Sequence, residues 1–151
     1  MNGLSAEFQS IQKREELTDE WANRGVEAGL EYTILTAEIT NAIFGYKPSE
    51  YKDIKGLDKR DNLRDHMTLL ELIFFTLGEV ATKEITVNKD AQGFNENRDA
   101  ARDGGRIAGD ARRALETQTK KRVVTPKNYK SLTFDQALGK IPEPPPKTLK
   151  E

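Results

Sequence analysis

Cysteine is absent from this chain of 151 residues. That excludes a disulfide framework and thiolate chemistry, and it leaves the redox compartment open. Histidine occurs once, at His66, so a metal site would need a cage of carboxylates; no metal and no cofactor are expected. Serine-based catalysis would need His66 as its base, and Ser5, Ser10, Ser49 and Ser131 lie in no nucleophile-elbow context. No glycine-rich stretch ends in Gly-Lys-Ser or Gly-Lys-Thr, so a phosphate-binding loop is missing too. A non-enzymatic protein is the expectation. An excess of charge is also lacking: 24 Lys and Arg face 25 Asp and Glu, for a net charge of −1. That balance speaks against binding a polyanion by bulk charge, although a local basic patch can sit on a neutral protein. Residues 1–10 carry neither the basic start nor the apolar block of a signal peptide. The longest apolar run, Leu69 to Leu77, is broken by Glu71 and Thr76 and is far too short to span a bilayer. A cytoplasmic protein with no membrane contact is expected.

What the chain does contain is helical pattern. Residues 5–31 are polar and helix-prone, with a thin apolar stripe of Phe8, Ile11, Leu17 and Trp21. Gly25 and Gly29 leave the C-terminal end of that helix open. Tyr32 to Leu35, rich in β-branched and aromatic side chains, reads as a short extended piece. Thr36 then reads as the N-cap of a helix through Ile39, Ile43 and Phe44, stopped by Gly45. Pro48 opens a short helix that Gly56 ends.

Thr68-Leu69-Leu70-Glu71 is a capping box. The helix it starts has apolar residues on nearly all sides of its first two turns, the mark of a central, buried helix. Phe94 to about Gln118 reads as the last long helix. Ala101, Gly104, Gly105, Ala108, Gly109 and Ala111 give it a face of small residues. Glycine inside a helix costs about 1 kcal/mol against alanine, so these glycines predict close approach of another helix, within the chain or between copies. The rival reading is that Gly104-Gly105 breaks the helix in two. Beyond Arg122 the pattern fades: Val123-Val124 reads as a short irregular or extended piece, Phe134 to Leu138 as a helical turn, and residues 141–151 as a Pro-rich flexible tail.

The same last helix carries a basic stripe. Arg98, Arg102 and Arg106 step by four, and Arg113 follows on nearly the same face. A second group, Lys59, Arg60 and Arg64 beside Lys55, flanks the loop before His66. Two readings stand. One is a phosphate-contacting surface for single-stranded DNA. The other is a solvated face in which Asp99–Arg102, Asp103–Arg106 and Asp110–Arg113 pair at spacing three. Contact between the two basic groups in the fold would favour DNA.

Lys55-Gly56-Leu57, then a charged loop reaching Asp65-His66-Met67, then Glu71-Leu72, and finally Gly105, Ala108, Gly109 and Arg112 occur in a fixed order. In this order of motifs the chain resembles the C-terminal part of the DNA-damage-inducible protein D (DinD) family, whose relatives also occur in phages. The resemblance covers roughly residues 14–124. The N-terminal domain usual in that family, like that of phage antirepressors, has no counterpart in this sequence. The resemblance implies a bacterial, non-enzymatic regulator of the DNA-damage (SOS) response, acting near recombinase filaments on single-stranded DNA; it offers no catalytic residues. The expected fold is all-α: one domain over residues 1–140, a compact bundle of five or six helices around the Thr68 helix. A structural domain for homo-oligomerisation or protein interaction, without nucleic-acid contact, is the alternative.

Overall fold

The computed structural model describes residues 3–128, so the helical turn expected at 134–138 and the Pro-rich tail at 141–151 lie outside the described residues. The fold is all-α. Five α-helices and one 3-10 turn make up the described residues: α1 (Gly3–Asn23), α2 (Leu30–Phe44), α3 (Pro48–Lys55), the turn Leu63–His66, α4 (Leu69–Lys89) and α5 (Gly93–Thr119). Helix α4 packs between α1 and α5, and α5 packs between α4 and α2. No helix among the described residues is long and apolar enough to cross a membrane.

Helix α1 stops at Asn23, short of the expected Glu31. Gly25 takes a left-handed φ of 85°, which lets the Val26 amide close back on Trp21 O at 2.9 Å. Arg24, braced by Glu20 of α1, then fastens this end to the α4–α5 link through Asp90 and the Ala91 carbonyl. Of the stripe on α1, Leu17 and Trp21 are fully buried, whereas Phe8 and Ile11 are exposed.

Residues 32–35 are helical, not extended: α2 already begins at Leu30, and Thr36 is an interior residue rather than an N-cap. Tertiary burial overrides local preference here. Leu35 is fully buried and Tyr32 packs on Trp21, ring centres 5.4 Å apart. The threonine hydroxyls are absorbed by the helix itself, Thr33 donating to Gly29 O, Thr36 to Tyr32 O and Thr40 to Thr36 O. Val123-Val124 form no strand but are buried against the core.

The capping box of α4 is present, with Thr68 Oγ1 accepting from the Glu71 amide and Glu71 Oε1 from the Thr68 amide, each at 3.2 Å. Helix α5 runs unbroken through Gly104-Gly105. A Cβ on Gly104 would stand 2.5 Å from the Thr82 Cα and N of α4. One on Gly105 would stand 2.9 Å from Ile39 O of α2, and one on Gly109 would collide with Ala42 O. The glycines therefore serve two neighbours, α4 on one side and α2 on the other. Ala101 and Ala108 are buried in the same contacts; Ala111 is exposed and takes no part in them.

Helix α5 ends on Lys120, held left-handed at φ 62° without glycine's freedom. Lys120→Gly is expected to stabilise the fold by about 0.5–1 kcal/mol, read as a raised midpoint in urea unfolding. A lowered midpoint would show that the lysine side chain holds the helix end.

Candidate binding surfaces

The arginine stripe of α5 faces α2, and most of its charge is matched. Arg98 and Arg102 both reach Glu38 of α2, at 2.9 and 3.0 Å. The Arg102 hydrogen bond, then that of Arg98, holds the Glu38 carboxyl below its ordinary pKa against partial burial. Asp103–Arg106 and Asp110–Arg113 pair at spacing three as expected, but Arg102 turns to Glu38 instead of Asp99. Glu38 gave no signal in the sequence, because it lies 60 residues from Arg98.

Two clefts open along this seam and share Arg113. One, of about 310 Å³, lies between Arg102 and Arg106 of α5 and Glu38, Asn41 and Ala42 of α2. The other, of about 480 Å³, lies beyond the end of α2, walled by Tyr46, Arg112, Glu116 and Arg122. Arg112 has a structural task there: its Nε donates to Ile43 O at 2.6 Å and its Nη1 to Glu116 at 2.7 Å, capping the carbonyl end of α2. Arg122 donates to the Tyr46 hydroxyl at 3.3 Å.

The second basic group does not join this seam. Arg64 turns inward, its guanidinium 5.2 Å from the Phe75 ring centre and 3.7 Å from buried Glu79; Lys59 and Arg60 stay exposed in their loop. Arg64 shares a cleft with Arg14, Thr36 and Lys52 on the other side of α2. Thr36 and Glu38 are two residues apart, about 200° around a helix, so α2 stands between the two basic groups.

Two carboxylates, Glu79 and Glu71, are pushed upward by burial, and both are structural in setting. Glu79 is fully buried beneath Arg14, which bonds it at 2.8 Å; burial raises its pKa against the pull of Arg14 and Arg64. Glu71 pairs with Lys55 at 2.7 Å, and neither side chain is exposed at all. Burial raises Glu71 and lowers Lys55, each more than the partner restores. Burial, then the nearby Glu71 charge, pushes the Tyr51 phenol well above its ordinary value. This pair holds down the chain after α5: Lys55 Nζ donates to Lys127 O and the Thr125 amide donates to Glu71, while beside it His66 Nδ1 meets Asn128 Oδ1 at 2.7 Å. Perturbed carboxylates often mark reactive sites, but here Lys55 and Glu71 are sealed from any substrate. No group of three or more potential ligands among the described residues is arranged to hold a metal ion.

The surface that the sequence reading missed is on α4. This helix is not buried all round: Leu69, Leu70, Ile73, Leu77 and Val87 are exposed, Ile73 by 52%. Leu70, Ile73, Leu77, Val80, Glu84 and Val87 step by three and four in alternation along the outward side, the spacing of a coiled-coil seam. A shallow cleft of about 250 Å³ runs beside it, bounded by Ala6 and Gln9 of α1. The spacing was readable in the sequence; its exposure was not. No protein-family model, no curated protein and no solved structure matches the chain.

Proposed function

We propose that this chain is a non-enzymatic regulatory module that works by binding a protein partner on the outward face of α4. The observation that carries this reading is the exposed row Leu69, Leu70, Ile73 and Leu77. Contiguous apolar surface of this kind costs solvation unless a partner covers it. Its three-four spacing fits an amphipathic helix laid alongside, with the apolar anchors of that helix entering between Ile73 and Leu77. The resemblance to the DinD family points to a partner assembled on single-stranded DNA in the damage response. In that setting the module regulates by occupancy and needs no reactive group of its own.

The test is a photo-crosslinking amino acid at position 73, used in bacterial cells after DNA damage. One discrete adduct is expected, abolished by a competing Leu77→Asp change that leaves the helical circular dichroism intact. Absence of any adduct sinks the reading. A second reading, self-association, rests on the same repeat, since two copies of α4 can mesh their own seams. Sedimentation velocity at micromolar concentration separates the two: a dimer dissolved by Ile73→Asp supports self-association, and a monomer assigns the face to another protein.

A further inference from the structure

We infer that the groove between α2 and α5 is a seat for the phosphodiester backbone of a single-stranded nucleic acid, with Tyr46 as a stacking platform for a base at its wide end. The inference is independent of the α4 reading and uses the opposite side of α5.

Five arginines line the two joined clefts (Arg102, Arg106, Arg112, Arg113 and Arg122) against two glutamates, Glu38 and Glu116. From Arg102 to Arg113 the helix advances about 16 Å, room for about five stacked nucleotides at 3.4 Å each. Charges within this row differ in availability. Arg102 is committed to Glu38 and Arg112 to the end of α2. Among the described residues Arg106 pairs with Asp103, which Lys89 also reaches at 3.5 Å, and Arg113 pairs with Asp110; both arginine side chains are more than half exposed. Exposed pairs contribute little in water. A phosphate, which a guanidinium can grip with two parallel hydrogen bonds, competes well against them. Tyr46 is half-buried beside Arg122. Arginines that track phosphates beside an aromatic ring form the usual combination for a single strand, whose unpaired bases can turn to stack. The sequence stripe and this groove are therefore different sets. Arg98, Lys59, Arg60 and Arg64 drop out, and Arg112, Arg122 and Tyr46 enter.

The test is fluorescence anisotropy with a labelled oligonucleotide of about 15 thymidines across a salt series. Binding should weaken with salt, and Arg106→Gln, Arg113→Gln and Arg122→Gln together should reduce the logarithmic slope by about 2. Tyr46→Leu should weaken binding without changing the slope. Asp103→Asn and Asp110→Asn should each tighten binding by about two- to fivefold, a gain that misfolding cannot imitate. Ile73→Asp should leave all of this unchanged, which separates the groove from the α4 face. No binding at low salt, an unaltered slope in the triple variant, or equal binding of a duplex of the same length would overturn the inference.

Discussion

Lys55→Met is expected to destabilise the fold by about 3–5 kcal/mol near neutral pH. Lysine 55 and Glu71 are both fully enclosed, and removal of the ammonium leaves a carboxylate with no counter-charge. The loss should depend on pH in a defined sense. The folded pKa of Glu71 already lies above the ordinary 4.5 because burial outweighs Lys55, and loss of Lys55 raises it further. A group whose folded pKa is raised contributes stability below its unfolded pKa and loses it as pH rises through the folded value. The deficit of the variant is therefore smallest below about pH 4.5 and grows toward neutrality. Adding Glu71→Gln, which keeps an oxygen to accept from the Thr68 amide, should restore much of the loss at neutral pH and little in acid. Urea denaturation at several pH values measures all three chains. A flat, small deficit would mean that water reaches the pair.

Gly104→Ala should cost about 1–3 kcal/mol, the reverse of the usual effect of this change in a helix. On an open helix surface, alanine in place of glycine gains about 1 kcal/mol. At position 104 the new methyl would stand 2.5 Å from the Thr82 backbone, which cannot turn aside as a side chain can. Exposed Ala111 provides the control: Ala111→Gly should cost only about 1 kcal/mol. A stabilised Gly104→Ala chain would mean that α4 and α5 can separate at little cost.

Local order was legible where the interacting groups lie within a turn of each other. The Thr68–Glu71 capping box, Pro48 at the start of α3, and the stops at Gly45 and Gly56 all follow from contacts three or four residues apart. The small-residue face of α5 announced a close helix contact, since only tight packing repays several interior glycines. Propensity misled at residues 32–35, where burial of Leu35 and the ring contact of Tyr32 with Trp21 outweigh β preference. The sequence by itself thus determined the all-α class, the start of α4, the stops of α2 and α3, and which face of α5 must be crowded. Tertiary structure alone decided that Glu38 gathers Arg98 and Arg102, that Lys55 finds Glu71, and that α2 parts the two basic groups. It alone decided, too, that one side of α4 stays uncovered. Helical period tells which residues share a face; what lies opposite that face depends on chain packed from 16 to 60 residues away, and no local pattern encodes it.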